Sequence, residues 1–387
     1  MAAGVTVAVL EARDRVGGRA WTVRPGGHPA DLGCAWLHSA DRNPWTTIAA
    51  ELGLAVDRHL PDWGWRFARE RQLDAAAGRA RERCFAAFWN VIDEHVGPDR
   101  ALADVLPAAD PWAANFAAIT SFISGALPDA LSTVDLARYL DTMVNWRVVE
   151  GYGALMERCA RQLPITLGVA VTEVDWGGPG VTVTGTAGSL RARAAIVTVP
   201  VSLLAAEAIR FRPALPSGKL AAAQGLPMGQ VAKLLLAVEG DPFGLGADRQ
   251  VTGALDRVDT AVYHLLPLGR PLVEAYWGGP TALELERAGQ AAMADFALAE
   301  LANLFGTGVR DRLRPLCASG WAADPFSRGA YSFARPGCAD GRAELAAPLA
   351  ERLFFAGEAC SRDSYSTAHG AHATGVAAAD AALAALR

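Results

Sequence analysis

A lysine in the middle of an apolar strand is the residue whose position most clearly asks for chemistry. Lys233 follows Met228-Gly229-Gln230-Val231-Ala232 and precedes Leu234-Leu235-Leu236-Ala237-Val238. Desolvating an ammonium is costly, so a lysine there needs water, an acceptor or a task; the plain alternative is a lysine guarding an edge strand. A second group is Glu11, which ends the run Val5-Thr6-Val7-Ala8-Val9-Leu10. A carboxylate at such a strand end can accept both hydrogens of a ribose diol. Beside it Arg13, Gly17, Gly18 and Arg19 combine cations with flexible backbone, the means to hold a diphosphate, with a solvated strand edge as the competing reading. Glu358 lies just past the turn that closes Leu353-Phe354-Phe355, and an alanine-rich run starts near Thr367. His369 and His372 share a helix spacing without a third ligand nearby, so no metal is expected.

These groups need elements to place them. Val5 to Leu10 reads as a buried parallel strand, and Asn43-Pro44 caps a helix that runs to about Leu52 and stops at Gly53. Residues 75 to 160 carry mostly helical patterning broken at Gly97-Pro98, Pro107 and Asp110-Pro111, which suits an inserted helical block. Short β-type runs follow at Val169–Val174, Val181–Thr184, Leu190–Ala192 and Ala195–Val199. Lys233–Val238 and Leu272–Tyr276 read as strands of a second sheet, Ala282 to Leu304 as one long helix, and Thr367 to Leu386 as a C-terminal helix behind the strand Leu353-Phe354-Phe355.

Taken whole, Val9-Leu10-Glu11-Ala12-Arg13-Asp14-Arg15-Val16-Gly17-Gly18-Arg19 resembles the second-strand signature of the flavin-containing amine oxidases. The resemblance runs through most of the chain. Asp31-Leu32-Gly33, Trp36-Leu37-His38 and Asn43-Pro44 match the family's segment beside the isoalloxazine. Glu150-Gly151-Tyr152-Gly153, Leu163-Pro164 and Val169-x-Val171-x-x-Val174 match its return into the flavin domain, and Thr198-Val199-Pro200, Phe211-x-Pro213 and Leu215-Pro216 also recur there. Phe354-Phe355-Ala356-Gly357-Glu358-Ala359 and Ser364-Tyr365-Ser366-Thr367-Ala368-His369-Gly370-Ala371 resemble the polyamine oxidase form more than the mitochondrial monoamine form.

The resemblance implies an α/β fold: a Rossmann-like FAD-binding domain from residues 1–62, 151–215 and 318–387, and a discontinuous α+β substrate domain from 63–150 and 216–317. The family's first strand and glycine-rich turn precede this signature, so they are expected to be missing here, an N-terminal truncation of about 25 to 30 residues that removes the phosphate cradle. The implied FAD contacts are Glu11, Arg13, Gly18, Arg19, Leu32, Gly33, Val171, Trp321, Gly357, Glu358, Thr367 and Ala368. Lys233 is placed to hold a water against flavin N5, and Tyr331 to supply an aromatic wall beside the substrate nitrogen. The second wall falls near Thr367, with Tyr365 as a partial substitute, and His38, Trp63 and Trp65 are placed at the substrate pocket. Alanine occupies position 330, where the mitochondrial enzymes carry their flavin-linking cysteine, so FAD is expected to be non-covalent. The implied reaction takes an amine to an imine, then to an aldehyde and a free amine, with hydride passing to N5 and oxygen reduced to hydrogen peroxide.

Composition narrows the alternatives. The chain of 387 residues is 51% hydrophobic and 20% charged, as folded proteins are, and has no apolar run long enough for a bilayer. A net charge of −5 and scattered arginines argue against nucleic acid. Cys34, Cys84, Cys159, Cys317, Cys338 and Cys360 lie far apart, which fits reduced thiols and a cytoplasmic setting. Two other readings stand beside the amine oxidase. One is an L-amino acid oxidase or desaturase-type flavoenzyme, with Arg66 or Arg147 clamping a carboxylate; the other is a truncated, non-catalytic remnant.

Overall fold

A computed structural model describes residues 4–59, 73–107 and 110–387. Its largest sheet is antiparallel throughout, in the order Arg249–Thr252, Val262–Leu265, Leu272–Gly278, Val231–Val238 and Leu313–Ala318. Alternation decides its faces. Leu234, Leu236, Tyr263, Val273, Ala275 and Trp277 are fully buried on one side, packed with Ala282, Met293, Ala297 and Leu301 of the helices Gly279–Ala288 and Gln290–Phe305. Lys233, Glu274 and Tyr276 occupy the alternate positions and so the opposite face.

The other half holds parallel pairs of strands distant in sequence, as an α/β domain requires. Val9–Leu10 pairs with Ile165–Thr166, and Ala195–Val197 with Leu353–Phe355. Arg210–Arg212, Val171–Asp175, Val181–Gly185 and Gly188–Ala192 make a four-stranded sheet in that order. The C-terminal helix Ala368–Ala385 covers Phe354 and Ala356 through Ala378 and Ala382. A third layer, Ala75–Asp93, Ala113–Ser124 and Thr133–Ala137, clusters around Phe85, Phe88 and Phe116. Among the described residues no helix is long and apolar enough to cross a membrane.

Most sequence-derived elements are present. Asn43 caps Pro44–Glu51 by accepting from the Trp45 amide, and Gly53 follows at φ +70°. Two expectations fail. The strand expected over Val5 to Leu10 forms only at Val9–Leu10, and Val7 and Val9 are exposed rather than buried. Among the described residues it has a single strand neighbour, so its other edge meets solvent. The single helix expected over Ala282 to Leu304 is two, because Gly289 at φ +92° breaks the helical path and its amide closes the first segment on Leu285 and Glu286.

Candidate active site

Strand register brings the site together. Lys233 lies opposite Tyr276 in the sheet, and Leu235 opposite Glu274. The Lys233 ammonium, only 7% exposed, donates to the carbonyls of Asp31 and Gly33 at 2.8 Å each, which satisfies two of its three protons in the other half of the molecule. Gly33 is required there, since a Cβ would lie 1.8 Å from the Arg19 carbonyl. The Trp321 indole donates to the Leu32 carbonyl at 3.0 Å, so the segment 31–33 is gripped from two sides.

Tyr276 and Tyr331 form a pair. Their hydroxyls are 2.8 Å apart and both meet the Phe122 carbonyl, Tyr331 at 2.6 Å and Tyr276 at 3.1 Å. Two protons serve three contacts, so the shorter Tyr331 bond is the full one and the Tyr276 oxygen receives no donor to spare. Burial pushes the Tyr276 phenol up to about 12, partly offset by its bond to Tyr331, and burial raises Tyr331 well above the ordinary phenol value. Both therefore remain neutral at ordinary pH. The Lys233 ammonium lies 5.8 Å from the centre of the Tyr276 ring.

Glu358 ties Ser332, the neighbour of Tyr331, to Arg19 and Ser366. Its carboxylate accepts from Arg19 at 2.9 Å, from the Ser332 amide and hydroxyl at 3.1 and 2.6 Å, and from the Ser366 amide at 2.9 Å. Burial alone would raise its pKa; Arg19 first, then Ser332 and Arg342, hold it below the usual value. Arg342, 0% exposed, clamps Asp135 with two bonds of 2.7 and 2.8 Å and also reaches the Ser332 hydroxyl.

The outer end has the character of a nucleotide site. One Glu11 oxygen takes the Arg13 amide at 2.9 Å, and no described residue donates to the other. The amides of Gly168 and Val169 bond the Arg13 and Glu11 carbonyls, which sets Val171 close by. Burial, then the charge of Arg13, lowers the Arg15 guanidinium. Arg13 donates to Asp324 and Ser327 at 2.8 and 2.7 Å, and Arg15 to the Val16 and Gly18 carbonyls, so both are held beside this turn. At Gly18, φ is +56°, and at Gly357 it is +136° with open space where a Cβ would point, so backbone stands bare beside both. Thr367 caps Ala368–Ala385 through the Gly370 amide, leaving the Ala368 and His369 amides without a described acceptor at the positive end of an 18-residue helix. An acid open to a diol, clustered arginines and free helix amides together fit a flavin dinucleotide.

Some predicted residues fall elsewhere. Tyr365 is buried with its hydroxyl on the Asp135 carbonyl and the Arg342 guanidinium 3.7 Å from its ring centre, so its bonding partners lie toward that ion pair and Tyr331 pairs with Tyr276 instead. His38 donates from Nδ1 to the Asn145 side-chain oxygen at 2.6 Å, and burial lowers its pKa against that bond. Trp63, Trp65 and Arg66 lie outside the described residues. Arg147 is not a free clamp: it is held by Asp57 at 2.6 Å and by both oxygens of Asp248. Sequence reasoning missed Tyr276, Phe122, Asp135 and Arg342; only the strand alternation pointed toward the first.

An acid at the end of a parallel strand in one half, and a buried lysine on a second sheet whose ammonium reaches into that half, are features of nucleotide-dependent redox enzymes. A family profile described as "Flavin containing amine oxidoreductase" matches residues 1–98 and 104–383, and the chain belongs to that family. It is thus a flavin-dependent amine oxidoreductase. It is 31% identical to "Polyamine oxidase 4" of Oryza sativa subsp. japonica, over 98% of this chain and 84% of that protein. It is 27% identical to "Polyamine oxidase 2" of Arabidopsis thaliana, over 98% and 83%. The cyclohexylamine oxidase from Brevibacterium oxydans IH-35A shares the fold at a TM-score of 0.79 and 20% identity, over 100% of this chain and 95% of that one.

Proposed function

We propose that this protein oxidises an amine at the carbon next to nitrogen, with non-covalent FAD held between the two halves. The observation that carries the reading is Lys233: a buried ammonium fixed by the Asp31 and Gly33 carbonyls, facing Tyr276 and through it Tyr331. When bound, the flavin would supply a two-electron acceptor for the substrate hydride at N5, with oxygen as the final acceptor giving hydrogen peroxide. On this reading Glu11 and Val171 hold the adenosine, Arg13, Gly18 and Arg19 the diphosphate, and Leu32, Gly33, Trp321, Gly357 and Glu358 the rest of the cofactor. The Ala368 amide and the Thr367 cap address the pyrimidine edge. Ala330 offers no thiol for a covalent link.

The chain's own groups act by position. The third Lys233 proton holds a water at the reacting edge. Tyr331 and Tyr276 exclude bulk water, and the Tyr276 oxygen accepts an N–H from the substrate. Loss of hydride from a neutral amine leaves an iminium, which water adds to and splits into an aldehyde and a free amine. A strong base is unnecessary, and two of the carboxylates near Lys233 and Tyr331 are committed: Asp31 caps the Tyr152 and Gly153 amides, and Glu358 holds Arg19, Ser332 and Ser366. The amine itself must be neutral, so the rate rises with pH through an apparent amine pKa. The engagement of Arg147 by two aspartates disfavours an amino acid substrate.

The test is spectroscopic. Purified protein, supplemented with FAD, is expected to show a bound-flavin spectrum that bleaches when an amine is added without oxygen and returns with peroxide when air is admitted. A preparation that stays colourless, or a flavin that no amine bleaches, overturns the proposal.

A further inference from the structure

We propose that Arg342 is a positioning residue for the cofactor, acting through Ser332 and Glu358 to aim Arg19; this rests on the flavin reading above, in which Arg19 meets the diphosphate. With Asp135 these groups form one chain in which charge alternates. Asp135, on Thr133–Ala137 of the helical layer, takes the Arg342 guanidinium at 2.7 and 2.8 Å. Arg342 Nη1 donates to the Ser332 hydroxyl oxygen at 3.0 Å, and that hydroxyl donates to Glu358 Oε2 at 2.6 Å. Glu358 Oε1 then takes Arg19 Nη1 at 2.9 Å. Asp135, Arg342, Ser332 and Glu358 are all buried, whereas the Arg19 side chain is 23% exposed and is the end that can reach a ligand.

A guanidinium only donates, so Arg342 on the Ser332 oxygen leaves that hydroxyl its single proton for Glu358. Without Arg342 the hydroxyl is free to turn away, and Ser332 is 0% exposed, so solvent does not replace the lost donor. The Ser332 backbone is tied to the same point, its amide donating to Glu358 Oε1 at 3.1 Å and its carbonyl taking the Ser366 hydroxyl at 2.6 Å. Arg19 Nη1 spends both its protons, on Glu358 and on the Ala330 carbonyl at 2.8 Å. The N–H groups on Nη2 and Nε remain, and among the described residues they meet no protein acceptor. A guanidinium fixed through one nitrogen offers its other edge as a fork, the shape that takes two oxygens of a phosphate. Arg19, Gly357 and Glu358 line one small cleft with Val199 and Pro200, so the fork and bare backbone stand together.

The experiment titrates FAD into the purified full chain and reads the dissociation constant from the change in flavin fluorescence, with thermal melts run before FAD is added. Ser332→Ala cuts the chain in the middle and leaves the Arg342–Asp135 pair whole; Arg342→Met with Asp135→Leu removes its origin without stranding a charge. Each is expected to raise the FAD dissociation constant about 10-fold, the worth of one oriented bond to a charged group, and Glu358→Gln to raise it at least as much. The deciding comparison is Ser332→Ala made in the Glu358→Gln background, where groups acting in series lose less than about 2-fold more and independent groups lose about 10-fold again. A full loss repeated in that background, or single variants that bind FAD as wild type does, overturn the role of Arg342 and leave the flavin reading intact. A merely structural chain would lower the melts and leave the dissociation constant unchanged, which also overturns it. If wild type binds no FAD at all, the flavin reading falls, and Arg342 with it.

Discussion

Lys233→Met isolates the buried cation of the antiparallel sheet, since methionine keeps the apolar stem and removes only the ammonium. Two bonds of 2.8 Å are lost, to the Asp31 and Gly33 carbonyls. A buried acceptor left without a donor costs about 1 to 3 kcal/mol, so the two sum to about 2 to 6 kcal/mol. Part is returned because a 7% exposed ammonium no longer needs desolvating, and a net loss of about 1 to 3 kcal/mol is expected. That is too little to unfold a protein of ordinary stability, so the variant should remain folded and yellow. The catalytic loss is larger. Removing a positioned proton-handling group slows a reaction by about 100-fold to 10,000-fold. Stopped-flow mixing with an amine under anaerobic conditions measures flavin reduction directly, and the spectrum before mixing reports flavin content. A variant that binds flavin normally and is reduced within about 3-fold of the wild-type rate refutes the role given to Lys233.

Three further outcomes follow from the geometry. Arg342→Met strands the buried Asp135 carboxylate and should cost about 3 to 5 kcal/mol, while Arg342→Met with Asp135→Leu recovers most of it; thermal melts in which the pair is as unstable as the single variant refute this account. Gly278→Ala would set a Cβ 2.0 Å from the Ser121 carbonyl, backbone against backbone, so a melting temperature lower by at least about 5 °C is expected and an unchanged one contradicts the packing of that strand on Ala113–Ser124. Burial works to raise the Glu358 pKa but Arg19 and Ser332 outweigh it, so the folded value lies below the usual 4.5. Its stabilisation is therefore complete above that value and lost as pH falls below it; urea unfolding from about pH 6 to about pH 3 should lose stability more steeply in wild type than in Glu358→Gln, and parallel curves refute it.

Much of this site was legible because its parts are local. The Asn43 cap, the Leu353–Phe355 strand with its Gly357 turn, and a last helix starting near Thr367 each depend on a few adjacent residues, and each is present. Lys233 was conspicuous because one charge in an apolar strand violates the pattern around it. What depends on distant partners was not legible. Arg147 looked like a free clamp, and only the fold shows Asp57 and Asp248 closing on it from 90 and 101 residues away. Arg342 and Asp135 are separated by 207 residues, and nothing near either one marks the pair. Val5 to Leu10 has the composition of a buried strand, but burial depends on neighbours, and the described chain gives it one.

Tyr276 and Glu274 fall between these cases. In Leu272–Gly278 the large apolar residues at 273 and 277 and the alanine at 275 alternate with Glu274 and Tyr276, and that spacing alone puts the two polar groups on a shared face. Which way the face points follows only from register: Lys233 opposite Tyr276 and Leu235 opposite Glu274 make it the face that receives the Asp31–Gly33 segment. The sheet therefore assigns its two sides by one rule. Positions that alternate into the helices pack on Ala282, Met293 and Leu301, and those on the other side meet the segment 30–33, on which Leu235 and Leu272 pack and to which Lys233 donates.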